Sequence, residues 1–369
     1  MAVLTEEEYI STAKEVSYLA ACAVNGEKPD KERVAQMNPD HLFYVAKRHQ
    51  LAAVTAIALE SAGVKIAEFT QAKGKAIRKN AALDIDRAAL AERLEAEQIW
   101  YVPLKGAVLA DYYPQFGMRE MSDNDILIDA GRAGDVKEIM KSIGFAVEQF
   151  GKGIHDEYYK QPVSHFEMHR ALFFSYDDQL YEYYKDVASR LKQEDGTSAR
   201  FFSNEDFYIY LIAHEYKHFS GAGTGLRSLL DIYVFWRKFG EELDKSYLEK
   251  EFERLGIADF EKKNRSLALR LFSGEELSEQ EEELLRYFVL SGVFGNTQNQ
   301  IAKRGRWRYV LENIFVPYRR MVTEYPFLRR LPFLLPFCWI LWLKRQLVKN
   351  RKRIFLKLRV IFNLRKKKK

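Results

Sequence analysis

From Thr5 onward the chain places apolar residues three and four apart, the period of a helix with one buried face. Thr5-Glu6-Glu7-Glu8 has the spacing of a capping box and predicts a helix to about Val24, closed by Asn25-Gly26. A second helix is predicted from Asp40 to Ala62, stopped by Gly63, and a third from Ala67 to about Gln98. Ala, Leu, Glu, Lys and Arg dominate these segments, all residues that lose little on entering a helix. Lys47, Arg48, Lys73, Lys75, Arg78 and Lys79 read chiefly as a solvated helical face.

The period changes at Ile99. Ile99-Trp100-Tyr101-Val102 is an apolar approach that turns through Pro103-Leu104-Lys105-Gly106 into a short helical pattern. Asp123-Asn124-Asp125 then runs into Ile126-Leu127-Ile128. Gly131 to Ser142 fits a helix, Gly144 to Val147 a strand, and Gly151-Lys152-Gly153 a turn. His155 to Tyr159 and Val163 to His169 read as paired antiparallel strands. Beyond Glu205 five helices are predicted: Glu205 to Phe219, Leu226 to Phe239, Ser246 to Leu255, Asp259 to Phe272 and Ser278 to Leu290. The order predicts an α+β fold, with a small mixed sheet at 99–200 between helical domains at 1–98 and 201–300, and a tail at 301–369.

At 369 residues, 47% hydrophobic and 30% charged, the chain is globular and has room for two or three compact units. Cys22 and Cys338 match no metal spacing, and two cysteines so far apart suit a reducing compartment. The start, MAVLTEEEYI, lacks a signal-peptide pattern, so a cytoplasmic protein is expected. The net charge of +6 misleads as an average. Lys344 to Lys369 hold thirteen of the 58 Lys and Arg and no acid, which leaves 45 basic against 52 acidic residues, net −7, on the body. Such a body is not built to grip nucleic-acid phosphates.

Chemistry concentrates between Lys105 and His169. In a strand Asp123 and Asp125 project together while Asn124 points away. Paired carboxylates repel unless a cation lies between them, and oxygen-only ligands suit Mg²⁺. Lys105 and the backbone N–H groups from Gly106 onward, at a helix start, would receive phosphates. Together these features point to phosphoryl or nucleotidyl transfer.

The run L-K-G, a Tyr-Pro pair, an Arg and S-D-x-D-hydrophobic resembles the uncharacterised nucleotidyltransferase family of the DNA polymerase beta-like superfamily. The likeness is continuous from about Leu104 to Leu172 and weaker to about Leu290. It implies a third carboxylate on a later strand, which would be Glu167 in Ser164-His165-Phe166-Glu167-Met168-His169. Two departures stand out: Lys105-Gly106 replaces the wider superfamily's Gly-Gly or Gly-Ser, and Asn124 replaces a hydrophobic residue. The resemblance implies a Mg²⁺-dependent transfer from a nucleoside triphosphate, ATP first, to an unidentified acceptor hydroxyl. Asp123, Asp125 and Glu167 would be the metal ligands and catalytic groups, with Glu167 completing the metal site or drawing the acceptor's proton. Lys105, Gly106 and Arg119 would hold phosphates, and His214 and Lys217 would face the nucleotide or acceptor, with His165 and His169 as further candidates. The alternative is a membrane-associated nucleotide-binding protein that keeps the fold with little or no turnover.

Two other features compete. His214-Glu215-Tyr216-Lys217-His218 satisfies H-E-x-x-H, a zinc-peptidase pattern, but no third ligand stands in a recognisable motif. In the tail, Leu331 to Leu343 is apolar, interrupted by Pro332 and Pro336, and too short to cross a bilayer. Leu347, Ile354, Leu358 and Ile361 follow with basic residues between them, a pattern suited to lying on an anionic membrane surface.

Overall fold

The structure, a computed structural model, describes residues 4–221, 223–292 and 314–349, together with 308, 311 and 312. Helix α1 (Glu6–Asn25) opens with the predicted capping box: the Glu8 N–H donates to Thr5 Oγ1, and the Glu8 carboxylate accepts the Thr5 N–H at 2.7 Å. A short α2 (Lys31–Gln36), capped by Asp30, was not legible in the sequence. The predicted helix from Asp40 to Ala62 is two helices, α3 (Pro39–Arg48) and α4 (Ala52–Ser61). Partners far away in sequence make the break at 49–51. The buried His49 ring accepts the Leu226 N–H at 3.1 Å, Gln50 takes a positive φ with its amide bonded to Arg227, and Glu120 accepts the Ala53 N–H. These bonds replace the helical bonds that an unbroken Asp40–Ala62 segment would make. Burial followed by the nearby Arg48 charge pulls His49 down to about 3, so its ring stays neutral and able to accept. Helix α5 (Ala67–Ala96) follows as predicted.

Five strands form one sheet in the order β1-β2-β5-β4-β3: β1 (Tyr101–Pro103), β2 (Asn124–Ile128), β3 (Ala146–Gln149), β4 (His155–Lys160) and β5 (Ser164–His169). Only the β2–β5 pair is parallel, so the sheet is mixed. Between β1 and β2 lies α6 (Gly106–Ala110), and α7 (Ala133–Ser142) precedes β3. Alternation gives the sheet two unlike faces. Ile126, Ile128, Phe166 and Met168 pack with Leu83, Leu90 and Leu94 of α5 and with Val136, Ile139 and Met140 of α7. On the other face of β2, Leu127 joins the larger core, while Asp125 borders a cavity.

The C-terminal helices are α8 (Asp178–Tyr184), α9 (Asn204–Gly221), α10 (Leu226–Phe239), α11 (Lys245–Arg254), α12 (Ala258–Ser273) and α13 (Glu279–Ser291). A small hairpin, β6 (Leu191–Gln193) and β7 (Arg200–Phe202), precedes α9. The hairpin and α8 went unpredicted. The two flanking helical segments share one core, in which Val16 and Leu19 of α1 belong with Leu229 of α10 and Phe288 of α13. Lys14 pairs with Glu282 at 2.6 Å and Tyr233 donates to Asn25 at 2.9 Å across the same junction.

In the tail, α14 (Tyr318–Glu324) and α15 (Leu335–Lys349) close on a small separate cluster of Val316, Met321, Leu328 and Cys338. Phe333, just ahead of α15, and Phe337, Ile340 and Val348 on it remain exposed. Among the described residues no helix is long and apolar enough to cross a membrane. The basic run beyond 349, with Ile354, Leu358 and Ile361, lies outside the described residues.

Candidate active site

Parallel pairing of β2 with β5 sets Asp125 directly beside Glu167 and Leu127 beside His169. Asp123 immediately precedes β2 and lines the same cavity as both carboxylates. Asn124, on the opposite side, is fully buried, and its amide is satisfied. Its Nδ2 donates to the Leu83 carbonyl at 2.9 Å and its Oδ1 accepts from Arg87 Nη1 at 3.0 Å, both on α5. The departure from a hydrophobic residue is thus a clamp between β2 and α5, since a buried amide without partners would cost stability.

Each acid has a distinct environment. Asp125 Oδ1 accepts from Lys105 Nζ at 3.0 Å and from His169 Nε2 at 2.9 Å. Burial alone would raise its pKa, but Lys105 and His169 outweigh it and hold the carboxyl well below the usual range. Asp123 is pushed up to about 6, first by burial and then by the charges of Asp125 and Glu167. Glu167 lies 3.5 Å from both His169 Nε2 and His155 Nδ1. Burial pushes Glu167 up, and the hydrogen bond from His169 together with the His155 and His169 charges more than reverses that. Because both oxygens facing it are carboxylate acceptors, His169 Nε2 carries the proton. Its pKa is raised, burial being overcome by the bonds to Asp125 and Glu167.

Three donor sets among the described residues have atoms all within 4.8 Å of one another; Asp123 with His165 and Glu167, and His155 with Glu167 and His169, both use Glu167, while Glu148 with Glu157 and His165 does not. The expected set of Asp123, Asp125 and Glu167 lines one cavity, but Asp125 is in none of these tight triads. Its Oδ1 is already held by the Lys105 ammonium and by His169. The carboxylate oxygens suit Mg²⁺, and the adjoining imidazoles also suit softer divalent ions.

Lys105 adopts φ 38°, a left-handed conformation unusual for a residue with a side chain, and its ion pair with Asp125 offsets the strain. Leu104 N–H donates to the Asp125 carbonyl at 2.9 Å, tying this turn to β2. Gly106 is required by close approach, since a Cβ there would fall 2.9 Å from Arg119 Nη1 and 3.0 Å from Met121 Sδ. Helix α6 has only five residues, so its dipole adds less to phosphate binding than the sequence pattern suggests.

Arg119 lines the same cavity but is paired within the protein. Expected on the leaving pyrophosphate, its guanidinium is 6% exposed and forked onto Asp231 of α10, Nε to Oδ1 at 2.8 Å and Nη2 to Oδ2 at 2.9 Å. Tyr113 donates to the same Asp231 at 2.8 Å. With its charge matched by Asp231 inside the protein, Arg119 braces the cavity, and only its Nη1, set against Met121 Sδ, is not on the carboxylate.

The cavity, about 430 Å³, is closed opposite the sheet by α9 and α10. His214, Lys217 and His218 line it, together with Tyr210 one turn earlier. His214 and His218 touch at 3.2 Å. Burial, then the Lys105 charge, lowers both, His218 to about 4, so each ring is neutral. Lys217 is half-buried, 3.9 Å from Asp177, with its ammonium over Phe174. Glu215 is buried near Ser228 and Asp231 and pushed up to about 8 by burial. Among the described residues no third donor joins the histidine pair, so the peptidase reading fails on geometry. His155 and Tyr210 were missed. Tyr210 shares a helical face with His214, which spacing reveals, whereas His155 enters only through its register opposite His169.

Residues 35–273 match the family described as uncharacterised nucleotidyltransferase. The chain belongs to this family. The matched span takes in the whole carboxylate wall and both lining helices. A solved antigenic nucleotidyltransferase-like protein from Paracoccidioides brasiliensis is similar at 16% identity over 55% of this chain and 95% of its own, with a TM-score of 0.33. No curated protein sequence matches the chain significantly.

Proposed function

We propose that this chain moves a nucleoside monophosphate from a nucleoside triphosphate, ATP first among the candidates, to an acceptor hydroxyl in a Mg²⁺-dependent reaction. One observation carries the reading: Asp123, Asp125 and Glu167 line one wall of a cavity that also holds Lys105, His214 and Lys217. Asp123, Asp125 and Glu167 would hold the cation, which when bound would neutralise the triphosphate and the charge growing on the leaving pyrophosphate. The remaining work falls to the chain's own groups. His169 orients Asp125 and Glu167 by donating between them. Lys105, kept charged by Asp125, presents its ammonium to a phosphate, and Glu167 takes the proton of the acceptor hydroxyl. Neutral His214 and the Lys217 ammonium, across the cavity, meet the base or the acceptor.

Incubation with ATP labelled at the α or the γ phosphate, in the presence of cell extract, tests this. Label from the α position is expected in a product. Label from γ instead makes the chain a kinase, and label from neither leaves a binding protein.

We further propose that residues 331–369 hold the protein on the cytoplasmic, anionic face of a membrane without crossing it. The exposed Phe333, Phe337 and Ile340 supply an apolar contact, and the cationic run from Lys344 supplies electrostatic attraction, on the order of 1 kcal/mol per engaged charge. The full chain is expected to sediment with anionic vesicles, and truncation after Leu343 to weaken that binding. Equal sedimentation with neutral vesicles would remove the electrostatic part, and no sedimentation would remove the proposal.

A further inference from the structure

A second cleft, of about 460 Å³, lies between α3, α5 and the segment ahead of β2. Met121 and Ser122 line both it and the carboxylate cavity, and the next residue is Asp123, so the two spaces adjoin across these residues next to the acids. Four cations border this cleft: Lys47 from α3 and Lys75, Arg78 and Lys79 from α5.

Their setting differs from that of other cations nearby. Lys73 is paired with Glu60, and Arg87 with Asp84 at 2.8 Å. Among the described residues, none of the four cleft cations has a carboxylate within ion-pair distance. Two acids share the lining, but Glu120 is turned inward to the Ala53 N–H, which leaves Glu68 against four positive charges. This happens on a body whose net charge outside the basic tail is −7, with 45 basic and 52 acidic residues. An unmatched cationic cleft on an acidic body focuses attraction for anions at that spot. Lys79, partly buried, also feels the Asp123 charge.

We infer that this cleft binds the phosphate-bearing end of the acceptor, so that the acceptor is a phosphorylated molecule whose hydroxyl reaches Asp123 and Glu167 past Ser122. The inference rests on the nucleotidyl-transfer reading for the acceptor's role, and on the cleft alone for phosphate binding. Nucleotide in the first cavity and acceptor in the second would approach the carboxylates from different sides, as a displacement at phosphorus needs.

The test uses the full chain with inorganic phosphate as probe, titrated calorimetrically with and without a saturating non-hydrolysable ATP analogue and Mg²⁺. Phosphate is expected to bind in both cases. The double variant Lys75→Glu with Arg78→Glu, at two exposed positions, is expected to weaken it at least tenfold and to leave the analogue's affinity within twofold. Phosphate displaced by the analogue, or analogue affinity lost in the variant, would make the cleft the nucleotide's own phosphate site and overturn the inference. Equal phosphate binding by variant and parent would overturn it as well. A second arm treats the extract with phosphatase, which is then removed, before labelled ATP is added. Product is expected to disappear, and equal labelling would refute a phosphorylated acceptor. If no extract labels at all, nucleotidyl transfer has failed, while phosphate binding with loss in the variant still upholds the anion site.

Discussion

Asp125→Asn is expected to bind nucleoside triphosphate with modest loss and to lower turnover by at least about 10³-fold, roughly 4 kcal/mol of transition-state stabilisation. The substitution keeps the shape and one oxygen acceptor but removes the charge. A metal held at the reacting phosphate acts on charge that builds only as the reaction proceeds, so its loss appears in turnover before it appears in binding. The side chain has a second duty, because Lys105 Nζ and His169 Nε2 both donate to its Oδ1. Removing the carboxylate charge leaves a buried ammonium short of its main partner, and a stability loss of about 1–3 kcal/mol should accompany the kinetic one. Thermal unfolding measured beside the kinetics separates the two. Equal activity of variant and parent at saturating Mg²⁺ would falsify the assignment.

Arg119→Ala is expected to destabilise the fold by about 3–5 kcal/mol, read as a fall in the denaturant midpoint. Its partner Asp231 would be left charged and buried, with the Tyr113 hydroxyl as its remaining hydrogen-bond partner among the described residues. Replacing both, as Arg119→Met with Asp231→Leu, should recover much of the loss, because the cost lies in the orphaned charge more than in the missing pair. Were Arg119 instead a ligand of the pyrophosphate, Arg119→Ala would fold with unchanged stability and lose turnover. That outcome would restore the reading made from the sequence and remove the one made from the geometry.

What the sequence determined by itself is whatever depends on neighbours within a few residues. Thr5 and Glu8, and again Ser278 and Glu281, set helix starts through bonds three residues long. The period of a strand sends Asp123 and Asp125 one way and Asn124 the other, and it sends Glu167 and His169 away from Phe166 and Met168. The tertiary structure decided everything that needed a partner from elsewhere in the chain. Parallel pairing of β2 with β5 brings Asp125 beside Glu167 and, through β4, brings in His155. A helix that local propensity would have continued through His49 is broken because Leu226, Arg227 and Glu120 offer its polar groups other bonds. Arg119 reads as a phosphate ligand beside the aspartates until Asp231, 112 residues away, takes its guanidinium. The physical reason is the same in each case: helix caps and side-chain alternation are short-range geometry, whereas strand register and the neutralisation of a buried charge depend on which distant segment packs alongside.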